Sequence, residues 1–356
     1  VIGVFLFILG FIYLMFTKRV LLYALSIAFV SYLFFLFYAS FPLTGNFIVG
    51  TFERFVLPLY IFAAIFIGFG LGGLVSVLEK ILNRFLKPRK NLLVSNLVIG
   101  IFLIYPMGLF FLNTPKISIL KNDFTAENFA GDILNSIPKN SIVLVSLDTA
   151  LFNSQYLYYT QKKWPEIKLI HFGKLLNPKM SYQFDKFYPD LYLPQRIGSV
   201  KDQFESFIKK NYDKFPIFSK QAYSQEEGTW VPWGLLFRYY KNDDVPGDNY
   251  IREENRRIWS LYHDPLAGSL SKFQNLLLSD TITMYTLAHQ EIGFWSAKRG
   301  FNDDAQKHLL EAETLSPNDL DSHNILAQVY IQQNKCDKAK EQIDYRLSKD
   351  SEDPQS

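Results

Sequence analysis

Residues 55–78 read FVLPLYIFAAIFIGFGLGGLVSVL, from Phe55 to Leu78, without one charged side chain. A hydrocarbon core about 30 Å thick takes about 20 residues of helix, so this run is long enough to cross it. Three more apolar runs accompany it: Val1–Thr17, Val20–Ser40 and Asn91–Leu112. They predict four transmembrane helices, over about 1–17, 20–40, 55–78 and 91–112. A secretory leader is a single apolar run with a small-residue cleavage site, which four runs do not fit. The first run is short and opens on Val rather than Met, which leads to the expectation of further helices upstream.

The chain's near-balance of 37 Lys+Arg against 34 Asp+Glu hides two materials. Residues 1–112 carry eight basic and two acidic side chains, and the other 244 residues carry 29 and 32. So apolar and Phe-rich a beginning excludes a purely cytosolic globular protein. The nearly neutral remainder argues against a nucleic-acid partner, which rewards concentrated positive charge. A single cysteine, Cys336, excludes an internal disulfide framework and a multi-cysteine metal cage.

Positive loops stay cytoplasmic. Lys18 and Arg19 follow the first run, and Lys80, Arg84, Lys87, Arg89 and Lys90 follow the third, so both connections are expected inside. The second connection, 41–54, then lies outside, together with everything after about residue 113. Pro42, Gly45 and Gly50 predict that this outer loop is not helical, leaving Glu53 and Arg54 at the mouth of the third helix. The pair reads either as an interfacial anchor, with Arg54 snorkelling to lipid, or as a site for an anionic lipid headgroup, whose phosphate oxygens a guanidinium binds in bidentate fashion.

Gly68, Gly70 and Gly73 spell GxGxxG, but a dinucleotide fingerprint needs a preceding strand and a following helix, and here an apolar run surrounds it. Gly68 and Gly72 also make a GxxxG, which predicts close helix packing in lipid.

Residues 113–246 predict a small α/β domain outside the membrane. Ala126–Ser136 is helically periodic, and Ser141–Leu147 is a β-branched run of the kind that forms a buried strand. A helix to about Gln161 and a second strand over Ile167–Phe172 complete a crossover unit with parallel strands. A helix over Val200–Tyr212 and strands near Ile217–Ser219 and Leu235–Tyr240 follow. Asp148 falls just past the carboxyl end of a strand, where α/β sheets present functional groups. Asp148 or Thr149 also suits a helix cap. With Asn153 and Gln155 they make a polar cluster that could line a sugar or polar ligand site. His171, inside the second strand, reads as a core or edge residue. No metal-ligand spacing, nucleophile elbow or phosphate-binding loop occurs, and no cofactor is evident.

Residues 247–356 predict helices with an internal 34-residue period. It aligns His289 with His323, Gly293 with Ala327, Ala305 with Ala339 and Leu309 with Ile343. Small residues at the helix crossings, with Pro317 closing a unit, look like two tetratricopeptide repeats over 286–319 and 320–353. The second unit has Arg346 and Ser351 where a small residue and Pro would stand, as a capping repeat would. Since His289 and His323 occupy equivalent positions, a metal pair is not expected of them.

The stretch Phe52-Glu53-Arg54-Phe-Val-Leu-Pro58-Leu-Tyr60, with Leu147-Asp148-Thr149-Ala-Leu-Phe-Asn153-Ser-Gln155 and Lys168-Leu-Ile-His171-Phe, resembles a bacterial family of multi-pass membrane proteins. This is the uncharacterised protein O-mannosyltransferase-like family, related to the GT-C glycosyltransferases, and the resemblance runs to about residue 240. It implies transfer of a sugar from a polyprenyl-phosphate donor on the outer face of the membrane; whether a divalent metal assists stays open. In such enzymes the catalytic acid lies in the first outer loop, near the N-terminus, and no residue here matches it. Arg54 matches the arginine of an Arg-aromatic-x-x-Pro run, as a contact for the phosphate lipid. The alternative is a non-catalytic, membrane-anchored scaffold that recruits an extracytoplasmic protein through residues 286–353. A transporter fits less well, because the spans lack buried ionisable residues.

Overall fold

The computed structural model describes all residues except 1, 39–45, 83–87, 178, 195–197, 273–275, 277 and 351–356. Most of the described chain is helical, around one small mixed sheet. It divides into two compact units, Val1–Asn122 with 275–277, and Asp123–Gln274 with Leu278–Ser356.

The first unit contains α1 (Ile2–Thr17), α2 (Arg19–Tyr38), α3 (Asn46–Leu82) and α4 (Pro88–Leu120). Among the described residues, two stretches are long and apolar enough to cross a membrane, Arg19–Tyr38 and Ile48–Ile81, and Ile2–Thr17 is a shorter apolar helix. Their apolar side chains stay outward: Phe34 is 69% exposed and Phe37 85% exposed. Water does not tolerate such a continuous apolar surface.

Glycine brings α1 and α3 together. A Cβ on Gly10 would lie 1.8 Å from the carbonyl oxygen of Phe66, and one on Gly70 would lie 1.9 Å from that of Leu6. The two backbones therefore touch, and Leu14, Leu22 and Phe66 close over the contact. The expected GxxxG pair is not the one used. Gly68 and Gly72 face open space, while Gly70 and Gly73, one turn apart on the other side, meet α1.

Two boundaries of this unit differ from the sequence reading. The stretch expected to be a loop up to Arg54 is already helix from Asn46, and Gly50 lies within it. Helices long and apolar enough to cross a membrane tolerate Gly and Pro in their interior. Glu53 and Arg54 thus lie about two turns into α3 rather than at its start. Pro42 and Gly45 lie outside the described residues. At the other end, α4 continues past residue 112 to Leu120, through Pro106 and Pro115.

The second unit begins with α5 (Thr125–Asn135), β1 (Ile142–Val145), α6 (Asp148–Gln161) and β2 (Lys168–His171). Short helices α7 (Phe172–Leu175) and α8 (Tyr182–Phe187) precede α9 (Val200–Asn211), whose start is fixed by a Ser199–Asp202 capping box. Then come β3 (Ile217–Ser219), β4 (Gly228–Trp233) and β5 (Leu236–Lys241). The strand order is β2-β1-β3-β5-β4, with β1 parallel to both β2 and β3, and β5 antiparallel to β3 and β4. The expected parallel crossover is present, within a sheet that is mixed.

Helix α6 packs on one face of the sheet through Leu151 and Leu157, against Val143, Val145 and Leu169. Helix α9 packs on the other through Phe204, Phe207 and Ile208, against Ile142, Leu144 and Ile170. The helical remainder is α10 (Asp248–Trp259), α11 (Leu278–Lys298), α12 (Asn302–Leu315), α13 (Leu320–Gln332) and α14 (Cys336–Asp350). The expected division near residue 246 crosses a continuous core, in which Ile258, Met284, Tyr285 and Ala288 join Ile133, Val145, Trp233 and Leu236.

The 34-residue period has a structural counterpart. Helices α11 and α12 join at Gly300 (φ 76°), and α13 and α14 at Asn334 (φ 59°), 34 positions on; glycine and asparagine both suit this left-handed backbone. Nδ1 of His289 meets Nδ1 of His308 at 2.9 Å within the first pair, and Nδ1 of His323 meets Oε1 of Gln342 at 2.5 Å within the second. A Cβ on Gly293 would lie 2.7 Å from Leu309, so the small residue at that crossing is required.

Candidate functional site

The strand order β2-β1-β3 and the placement of α6 and α9 on opposite faces put a topological switch point between β1 and β3. Ligands bind α/β sheets in the crevice beyond the carboxyl ends of such strands. Here the chain leaves β1 through Ser146 and Leu147, and β3 through Lys220, whose N–H donates to the carbonyl of Leu144 at 3.1 Å. Leu147 and Lys220 line a cavity of about 330 Å³, closed by the β4–β5 turn at Gly234-Leu235-Leu236 and by Leu287, Ala288 and Glu291 of α11.

That turn is held from α10. The Asn255 side chain accepts from the N–H of Gly234 at 2.9 Å and donates to the carbonyls of Pro232 and Ile251. The Tyr262 hydroxyl accepts from the N–H of Leu235 at 3.1 Å. Gly234 has φ 59°, and a Cβ there would lie 2.0 Å from the Tyr262 hydroxyl, so glycine is needed twice over.

Lys220 is 8% exposed, and its ammonium has no hydrogen-bond or ion-pair partner among the described residues. Burial lowers its pKa to about 8, against smaller opposing pulls from Glu291 and Asp280. Burial pushes the Glu291 carboxyl up, and the charge of Lys220 partly offsets this. Lys220 and Glu291 thus line one cavity, and burial disfavours the charged form of each. Tyr223 completes a wall, with its ring stacked on Phe172 at 4.7 Å.

A second cavity, of about 240 Å³, lies among Trp259, His263, Tyr285, His289, His308 and Glu311. Behind it the buried Asp132 carboxylate accepts from the Tyr285 hydroxyl at 2.6 Å and the His263 N–H at 2.9 Å, and its other oxygen is 2.8 Å from His263 Nδ1. The indole of Trp259 stacks on His289.

The candidates read from the sequence fall elsewhere. Glu53 and Arg54 are exposed on α3. Asp148 is exposed as the first residue of α6; the cap position belongs to Leu147 and has no side-chain cap, so the capping role expected of Asp148 or Thr149 is not present. A carboxylate in the first turn still favours the helix through its dipole. Thr149, Asn153 and Gln155 are half-buried on α6, and none of the four lines either cavity. The sheet's carboxyl edge does carry a cavity, but one lined by Lys220, which sequence reasoning missed. His171 caps α7, its Nδ1 accepting from the N–H of Lys174. Among the described residues, no group of three or more His, Cys, Asp and Glu is placed to hold a metal ion.

No protein-family model, curated protein or solved structure matches this chain.

Proposed function

We propose that this chain is the lipid-proximal and accessory part of a GT-C-like, multi-pass membrane glycosyltransferase. It uses a polyprenyl-phosphate sugar on the extracytoplasmic face, and its second unit receives the acceptor. The observation that carries the reading is α3. Its 37 residues span about 56 Å as a helix, well beyond a hydrocarbon core of about 30 Å, and it exposes Glu53 and Arg54 where its uncharged run begins. An arginine there suits a lipid phosphate, and the basic residues after α1 and α3 orient that end outward. Displacement of the lipid phosphate by an acceptor hydroxyl needs a carboxylate base, a role assigned to none of the described residues.

The test is transfer of radiolabelled sugar from polyprenyl-phosphate donors, in membranes, by the full-length transferase of which this chain would be the accessory part. Donor-dependent transfer to an acceptor supports the reading, and folded protein without transfer from any donor tried counts against it. A second reading, a membrane-anchored tetratricopeptide scaffold, is favoured by the repeated left-handed turns at Gly300 and Asn334. Under it, the same inactive protein retains an extracytoplasmic protein partner that substitutions on α11–α14 release.

A further inference from the structure

We infer that the cavity beyond β1 and β3 binds a small, hydroxylated ligand with one anionic end, a carboxylate or a phosphate, and that the Lys220 ammonium is its counter-ion. A buried charge is costly unless paired, and Lys220 is more than nine-tenths buried without a hydrogen bond or ion pair to its ammonium among the described residues. Glu291 and Asp280 act on it only at a distance. Were the side chain merely filling space, an apolar residue of similar length would do so at lower cost. Lys220 instead lines a cavity at the sheet's switch point, where this topology receives ligands.

The walls narrow the ligand class. A volume of about 330 Å³ is at the small end of ligand pockets, suited to one sugar ring. Leu147, Leu235 and Phe237 offer apolar surface to a ring face, and Glu291, also in the lining, accepts from hydroxyls while repelling a second negative charge. A uronic acid or a sugar monophosphate has this pattern, and a neutral sugar lacks the anionic end. The inference does not depend on the membrane reaction proposed above.

The test uses the whole protein in detergent at constant ionic strength, with glucuronate, glucose 6-phosphate, inorganic phosphate and glucose as probes. Trace acetylation of lysines, read by mass spectrometry, follows Lys220 directly, and thermal unfolding follows binding. Saturable protection of Lys220 is expected, reaching about tenfold when the probe stands near ten times its Kd. Glucose should give none. Protection by glucuronate alone assigns the carboxylate class, by glucose 6-phosphate alone the sugar phosphates, and by inorganic phosphate as well a site for the phosphate group itself.

Affinity should fall as pH rises through about 8, where the amine loses its proton. Glu291 and Asp280 are the charged groups that oppose this loss. Lys220→Met should fold at least as stably as the wild type and lose the rise in Tm caused by the anion. If neither anion class protects Lys220, or if Lys220→Met keeps the full rise in Tm, the inference is overturned.

Discussion

The Tyr285 hydroxyl donates to the buried Asp132 carboxylate at 2.6 Å, joining α11 to α5 across 153 residues of sequence. Burial and the neighbouring carboxylate push the phenol's pKa upward, so it remains a donor. Tyr285→Phe should destabilise the second unit by about 1.5–3 kcal/mol, the range for a hydrogen bond to a charged group. Asp132→Ala should cost more, because it leaves the phenol and the His263 N–H without their acceptor. Denaturation followed by tryptophan fluorescence measures both, and equal, near-zero effects would remove Asp132 as a tie between the helices.

The contact between Gly10 and Gly70 predicts an asymmetry among the glycines of α3. Gly70→Ala drives a methyl into the Leu6 carbonyl and should separate α1 from α3, lowering the Tm in detergent. Gly68→Ala and Gly72→Ala meet open space and should leave it unchanged. Equal losses at all three positions would contradict the packing.

His308 gives the unit a defined acid sensitivity. Its pKa is lowered from 6.5 to about 4, by burial first and then by Lys307, with Asp304 opposing. The unfolded chain therefore takes up a proton near pH 6.5 while the folded chain does not. Stability present above that pH should decline as pH falls toward 4, by about 3 kcal/mol from His308, and the buried His289 beside it, lowered well below 6.5, adds to the decline. His308→Gln copies what the second helical pair carries at Gln342 and should make this part of the profile shallower, leaving the share that His289 contributes. Urea midpoints between pH 7 and pH 4 provide the comparison.

Arg54 is the residue to change for the membrane reaction. If its guanidinium binds the donor phosphate, Arg54→Ala in the full-length transferase should raise KM for the polyprenyl-phosphate sugar about tenfold, a difference of about 1.4 kcal/mol. An unchanged KM would leave Arg54 as an interfacial anchor.

The elements legible in the sequence were those whose burial is written locally. Val143 to Val145, Ala150 to Leu157 and Phe204 to Ile208 carry strand or helix periodicity in their own few residues, and α5, β1, α6, β2, α9, β3 and β5 followed from it. Strand β4 escaped because Gly228-Thr-Trp-Val-Pro232-Trp contains a residue that central strands exclude; it is tolerated on an edge strand. The site was legible as a place, the carboxyl end of β1, but not as a residue. A lone lysine after a three-residue strand looks like a solvated charge until the β4–β5 turn and α11, 70 positions on, bury it. Asp132 and His263, 131 residues apart, likewise share no local signal. The start of α3 was misplaced because Gly50 reads as a turn signal, whereas the helix already runs through it from Asn46.

The core that runs from Ile133 and Val145 through Trp233 to Met284 and Ala288 has a consequence for how this protein can be taken apart. A cut after Pro246, where the composition changes, passes through an interior rather than a linker. The sheet without α10 and α11 would bare Trp233 and Leu236, and Gly234 would lose Asn255 as its partner. Both pieces would be prone to aggregate. The sheet and the helices that follow it therefore behave as a single inheritable part, to be expressed, exchanged or lost together.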